Sequence, residues 1–88
     1  MHRYMTGEKR TINRLGYALL QEKAPSSAVV LFKLNTKAYP DSANAWDSLG
    51  DGYEAVNDIQ DARMAYARSV ELNTDNEHAK GELVKLRE

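Results

Sequence analysis

Hydrophobic residues recur at intervals of three and four along most of this chain, and this spacing places them on one face of an α-helix. The pattern predicts five helices, over about residues 9–22, 26–39, 43–56, 60–72 and 77–87. No stretch of useful length alternates between apolar and polar residues, so we predict no β-sheet. The sequence therefore predicts an all-α fold.

Residues that favour turns and helix ends separate these segments. Pro40 and Ser42 are expected to end the second helix and cap the third. Asn57-Asp58 supplies a turn and an N-cap for the fourth helix. Thr74 and Glu77 have the spacing of a capping box, so we expect Thr74 to cap the fifth helix.

The chain also repeats itself without insertion, with a period of about 34 residues. Small residues recur at the same places in both copies and predict that paired helices approach closely, with the glycines beside the alanines. A larger side chain in place of either glycine is expected to cost about 1–3 kcal/mol by overpacking. The residues that coincide are Ile12 with Trp46, Leu15 with Leu49, Gly16 with Gly50, Leu19 with Tyr53, Ala28 with Ala62 and Phe32 with Tyr66.

These residues, at this period, resemble the signature of the tetratricopeptide repeat family. The resemblance implies a right-handed α-solenoid of two helix–turn–helix repeats, residues 9–42 and 43–76. It also implies a flexible N-terminal segment, 1–8, and a C-terminal capping helix, 77–88. The signature residues are Leu15, Gly16, Ala28, Phe32 and Pro40 in the first repeat and Trp46, Leu49, Gly50, Tyr53, Ala62 and Tyr66 in the second.

The sequence departs from the family pattern in three places. Asn35 and Ser69 occupy a position late in the second helix where the family usually has a small residue. A buried Asn35 has to form hydrogen bonds or cost about 1–3 kcal/mol. Thr74 stands where proline usually closes a repeat, and Lys23-Ala24-Pro25 replaces the usual Gly-Asp turn of the first repeat.

The aromatic residues of the signature allow two interpretations. Phe32, Trp46, Tyr53 and Tyr66 could form a cage around a ligand, or they could fill the space between helices. Helical spacing favours packing in the core.

The resemblance implies that the first helix of each repeat lines a concave face, which binds a peptide or a segment of a partner protein. We expect a basic wall with a tyrosine facing an acidic wall, and a peptide of mixed charge whose basic side chain lies against the acidic wall. The alternative is an ordinary solvated helix face. Helical spacing places Arg10, Asn13, Arg14, Tyr17 and Gln21 there from the first helix, Asn44, Asp47, Asp51 and Glu54 from the third, and His78 and Lys85 from the fifth.

The formal net charge of −1 conceals an asymmetry along the chain. Residues 1–40 have seven Lys and Arg against two acidic residues, a net charge of +5, whereas residues 41–88 have five against eleven, a net charge of −6. Two repeats also leave packing surfaces unused at both ends. Self-association into a homo-oligomer is therefore the main alternative function.

The composition argues against most other classes of function. The chain has no cysteine, only two histidines, His2 and His78, and no glycine-rich phosphate loop, so we predict no enzyme, no cofactor and no small-molecule substrate. One acidic helix face offers too few ligands for a metal site. A net charge near zero disfavours nucleic acid, and no apolar run approaches the roughly 20 residues of a membrane span. We expect a cytoplasmic protein, or a periplasmic one if the chain is a fragment of a larger secreted protein.

The run of residues 32–50 is also similar to repeat tails attached to bacterial hydrolases of the serine esterase and β-lactamase-like kind. This similarity implies that the chain is the accessory C-terminal tail of a larger bacterial hydrolase. It places no catalytic residue in the chain.

Overall fold

Five α-helices follow one another in the computed structural model, which describes residues 2–87 and the side chains of residues 10–87. α1 spans His2–Gln21, α2 Pro25–Ala38, α3 Ala43–Ala55, α4 Ile59–Leu72 and α5 Glu77–Leu86. No strand occurs between residues 2 and 87, so the prediction of an all-helical fold is confirmed. None of these helices combines the length and the apolar character that crossing a membrane requires.

The start of α1 is the one helix boundary that differs clearly from the sequence-based expectation. The helix was expected from about Lys9, and it begins at His2. Residues 2–8, which we expected to be a flexible segment, are therefore the first turns of α1. No proline interrupts this stretch, so nothing in the backbone stops the helix from continuing towards the N-terminus.

Two of the three expected helix caps are confirmed. The hydroxyl of Ser42 accepts a hydrogen bond from the amide of Ala45 at 3.1 Å and caps α3. The carboxylate of Asp58 accepts one from the amide of Asp61 at 3.3 Å and caps α4. Pro25 occupies the first turn of α2, where its missing amide proton costs nothing.

The expected cap of α5 is wrong. Asn76, not Thr74, precedes the helix, and its side-chain oxygen accepts a hydrogen bond from the amide of Ala79 at 3.2 Å. The side chain of Asn73 accepts one from the amide of Asp75 at 3.0 Å, so Thr74 lies inside a turn that ends before the helix begins. Asparagine is at least as good an N-cap as threonine, which makes the later start favourable.

The corners α1–α2 and α3–α4 have the same backbone conformation although their sequences differ. Lys23 and Asn57, which occupy matching positions of the two repeats, both adopt a left-handed conformation with φ of 62° and 65°. In each corner the next amide donates a hydrogen bond back to the carbonyl five residues earlier, from Ala24 to Leu19 and from Asp58 to Tyr53, each at 2.8 Å. This bond is typical of a helix that ends in a Schellman motif.

The recurring glycines face recurring aromatic rings. A Cβ atom added to Gly16 would overlap the ring of Phe32, and one added to Gly50 would lie 2.6 Å from Cε1 of Tyr66. Both rings are completely buried, which confirms that these two aromatic residues pack in the core. The expected close approach of the paired helices is therefore confirmed, and the atoms nearest to each of these glycines belong to an aromatic ring. The position of Ala28 and Ala62 beside the glycines stays a prediction.

Two apolar clusters join the helices into one body. The first connects α2 with α3 and α4, with partly buried residues of α1 packed against it, and the second connects α4 with α5. The buried members are Ala28, Phe32, Leu49 and Ala65 in the first cluster and Ala62, Tyr66, Ala79 and Leu86 in the second.

Two polar residues at matching positions of α2 and α4, Asn35 and Ser69, are buried as well. The hydroxyl of Ser69 donates a hydrogen bond to the carbonyl of Ala43 at 2.7 Å.

A polar face formed by α1, α3 and α5

Three carboxylates on one side of α3 form the centre of a polar face, and we call them the acidic row: Asp47, Asp51 and Glu54. Their spacing of four and three residues places them on successive turns of the helix. All three are only partly exposed, because α1 lies on one side of α3 and α5 on the other. Their hydrogen bonds therefore determine what this face can do.

Asp51, in the middle of the row, accepts hydrogen bonds from two tyrosine hydroxyls. Tyr17 of α1 donates to Asp51 and lies 3.2 Å from the hydroxyl of Ser48, and Tyr66 of α4 donates to Asp51 at 2.5 Å. Burial, and then the hydrogen bond to the Asp51 carboxylate, raise the pKa of both tyrosines well above their ordinary value. Both hydroxyls therefore stay protonated and keep donating at neutral pH.

Asp47, at the N-terminal end of the row, is held by residues around the start of α5. The side-chain amide of Asn76 donates to it at 3.1 Å, and Nδ1 of His78 lies 2.8 Å from its other oxygen. Burial on its own would lower the pKa of His78, but the hydrogen bond to Asp47 and the charges of Asp47, Asp51 and Glu82 outweigh it, so the pKa is raised. The imidazolium form is the one that this arrangement stabilises.

Glu54, at the other end of the row, is paired with a lysine from α5. Nζ of Lys85 lies 3.0 Å from Glu54 and 2.8 Å from Glu82, and the hydroxyl of Tyr66 lies 2.9 Å from Glu54. Burial alone would raise the pKa of Glu54, but the hydrogen bonds from Lys85 and Tyr66 lower it. Glu54 is therefore ionised and its charge is balanced within the chain.

The structure brings together only part of the residues expected on the concave face. Tyr17 and the acidic row are in direct contact, so the two expected walls touch each other at this point. Arg10, Arg14, Gln21 and Asn44 are exposed, and Asn13 is partly buried. No carboxylate between residues 10 and 87 forms an ion pair with Arg10 or Arg14. The basic part of the face is therefore open, and the acidic part is occupied by the chain itself.

Sequence reasoning missed two contributors to this face: Asn76 and the hydroxyl of Tyr66. The sequence does indicate part of this arrangement. Successive repeat periods separate Tyr17, Asp51 and Lys85, so these residues occupy matching positions on α1, α3 and α5. The hydroxyl of Tyr66 could not be predicted, since the signature position accepts phenylalanine in the first copy.

Asp47, Asp51 and His78 lie near enough to one another to hold a metal ion, with ligand atoms within 4.8 Å. All three already have partners in the chain: two tyrosine hydroxyls bond Asp51, and Nδ1 of His78 bonds Asp47. A metal ion would have to replace these hydrogen bonds.

An apolar groove of about 420 Å³ lies elsewhere, between α3 and α4. The indole nitrogen of Trp46, at its edge, donates to the carbonyl of Pro40 at 2.8 Å, which fixes the orientation of the ring. The groove is lined mainly by Trp46, Leu49, Tyr53, Met64, Ala65 and Arg68.

No protein-family model matches the chain, and no curated protein matches it either. The tetratricopeptide interpretation therefore depends on the internal repeat and its residues alone.

Proposed function

We propose that this chain is a protein-interaction scaffold of the tetratricopeptide kind, a right-handed α-solenoid of two repeats and a capping helix. It binds an extended peptide of a partner protein on the concave face formed by α1, α3 and α5, and it catalyses no reaction. The observation that carries the proposal is the convergence of polar side chains from three helices that are not consecutive: Tyr17 of α1, the acidic row of α3, and His78 and Lys85 of α5.

The recurrence of contacts at the repeat period supports the repeat interpretation. Gly16 with Phe32 and Gly50 with Tyr66 make the same close approach, and Lys23 and Asn57 form the same corner. Matching contacts of this kind give the two helical hairpins the same internal geometry, as expected of successive repeats in a solenoid.

The open basic part of the face is the ligand-binding part in this proposal. Arg10 and Arg14 are exposed and have no ion-pair partner among residues 10–87, so a ligand carboxylate can reach them without displacing any carboxylate of that range. A basic ligand side chain at the acidic row would first have to displace His78 or Lys85. We therefore propose a peptide of mixed charge whose acidic side chains contact Arg10 and Arg14, and the acidic row acts as the rigid floor beside them.

Selection from a display library of random 12-residue peptides tests the proposal. Peptides selected on the whole chain should be enriched in Asp and Glu, and their affinity should fall at least about tenfold for the double variant Arg10→Glu, Arg14→Glu. The matched control, Lys33→Glu with Lys37→Glu, makes the same change of charge at exposed positions of α2. It should bind the same peptides with an affinity close to that of the unmodified chain.

If both double variants lose the same amount of affinity for the selected peptides, binding depends only on the overall charge of the chain. That result would contradict a specific binding site. Selected peptides without acidic residues, or binding that survives Arg10→Glu with Arg14→Glu, would also contradict the proposal.

Self-association is the second candidate, and the opposite net charges of residues 1–40 and 41–88 favour it. Electrostatic pairing of that kind weakens as salt screens the charges. Light scattering should then give a mass above one chain at low salt and a smaller mass at high salt. The mass of a single chain under both conditions, at high protein concentration, would contradict this candidate.

A further inference from the structure

The side of α1 that includes Leu15 exposes an apolar surface, which we call the leading face: Thr11, Leu15 and Ala18 of α1 with Leu31 of α2. Leu15 is 52 % exposed, Thr11 and Ala18 are exposed, and Leu31 is partly buried. Leu15 lies between two small residues on one side of the helix, so another helix has room to pack closely over it.

The same positions of the second copy are covered by a helix of the chain. Leu49, which corresponds to Leu15, is 4 % exposed. Its neighbours on that surface are buried too, and each lies one repeat period after a member of the leading face. They are Ala45, Gly52 and Ala65, which correspond to Thr11, Ala18 and Leu31.

The helix that covers this surface is α2, and its residues define what such a surface accepts. A Cβ atom on Gly52 would lie 2.8 Å from the ring of Phe32 and 3.2 Å from Cγ2 of Val29. Ala28 and Phe32 share one buried cluster with Leu49 and Ala65. The covering helix thus presents an aliphatic residue and, three positions later, an aromatic one.

No element between residues 2 and 87 can cover the leading face in the same way. α1 continues as a helix to His2, so its first turns extend along the helix axis and do not fold back over Leu15. Among residues 10–87, α2 and α4 of a second copy offer no free surface of this chemistry, because Phe32 of α2 is buried against α3, and Tyr66, the matching residue of α4, is buried beside α5.

We propose that the leading face is a docking site for an amphipathic helix of another polypeptide, with an aliphatic residue followed three positions later by an aromatic one. The leading face lies beside the polar face, since Ala18 is one turn from Arg14 on α1, but the two proposals depend on different side chains, so either can fail without the other.

A peptide with the sequence of α2, residues 25–38, is the probe for this site. Its two large hydrophobic residues that are exposed in the chain are changed for solubility, Val30→Glu and Leu34→Lys. Titrated into the ¹⁵N-labelled 88-residue chain, it should shift the amide resonances of Thr11, Leu15 and Ala18. Leu15→Asp in the chain, or Phe32→Ala in the peptide, should weaken binding at least about tenfold, because each removes apolar area from the contact.

Val84→Asp is the matched control, because Val84 is 63 % exposed on α5 and its substitution should leave the affinity unchanged. Circular dichroism checks that the Leu15→Asp chain keeps its helices. Shifts centred on Ala45, Leu49 and Gly52 would show that the peptide replaces the chain's own α2, and they would overturn the proposal. So would the absence of any shift at millimolar peptide, equal binding to the Leu15→Asp chain, or a dimer of the chain that explains the shifts without the peptide.

Discussion

The two repeat units have the same internal contacts and very different surroundings. In both, a glycine meets a buried aromatic ring and a left-handed residue closes the corner between the helices. The unit of residues 43–76 lies between α2 and α5, and its acidic row is bonded on both sides. The unit of residues 9–42 has its Leu15 side and its arginines exposed. The difference indicates that the local sequence sets the hairpin, whereas neighbouring helices decide which of its surfaces remain available to a partner.

Truncating the two matching leucines should give the largest difference between the units. Leu49→Ala is expected to lower the free energy of unfolding by about 2–4 kcal/mol, because it leaves a cavity beneath α2. Leu15→Ala should cost less than about 1 kcal/mol, since half of that side chain is already exposed to water. Urea denaturation of both variants measures the difference. Equal losses would mean that Leu15 is covered in solution.

Adding a methyl group to glycine should have opposite effects in α3 and α5. Gly50→Ala brings Cβ against the buried ring of Tyr66, and we expect a net loss of about 1–2 kcal/mol once the gain in helix propensity is subtracted. Gly81 has no neighbouring atom within 4 Å of an added Cβ, so Gly81→Ala should stabilise the chain by about 0.5–1 kcal/mol. Thermal unfolding distinguishes the two. Stabilisation by Gly50→Ala would refute the close approach.

Exchanging the residues at the two corners should change stability in opposite directions. Lys23→Asn places in the first corner the residue that the second corner already uses at positive φ, and it should stabilise the chain by about 0.5–1 kcal/mol. Asn57→Lys should lose a similar amount, because lysine tolerates this conformation less well. If both substitutions are neutral in chemical denaturation, the corners do not need a left-handed residue.

The ion pair of His78 should give the smallest effect, and it depends on pH. The carboxylates raise the pKa of His78 in the folded chain. The ion pair therefore contributes fully to the free energy of unfolding when the pH is below the ordinary pKa of 6.5, and this contribution is lost as the pH rises through the raised pKa. The side chain is half exposed, so the contribution should be only about 0.5 kcal/mol. The unmodified chain should therefore lose stability relative to His78→Gln between pH 6 and pH 9. A constant difference over that range would exclude the ion pair.

The helices and their pairing were predictable because they depend on local chemistry. Apolar spacing, Ser42 and Asp58 act within one or two turns of the chain, and each recurring glycine meets a ring of the very next helix. The partners of the acidic row were harder to predict, since Asn76 meets Asp47 only after α4 has folded back along α3. The cap of α5 was wrong for the same reason: the sequence shows two acceptable capping residues, and their surroundings decide between them. The length of α1 was missed because no residue marks its start.

The most direct test of the proposed function is to map, by ¹⁵N chemical shifts, where a selected acidic peptide binds on the whole chain. The amides of Arg10, Asn13, Arg14 and Tyr17 should shift most, because the open basic part of the polar face belongs to the first unit. Shifts centred on the groove around Trp46 and Met64, or on Asp47 and Glu54 with Arg10 and Arg14 unaffected, would contradict the account.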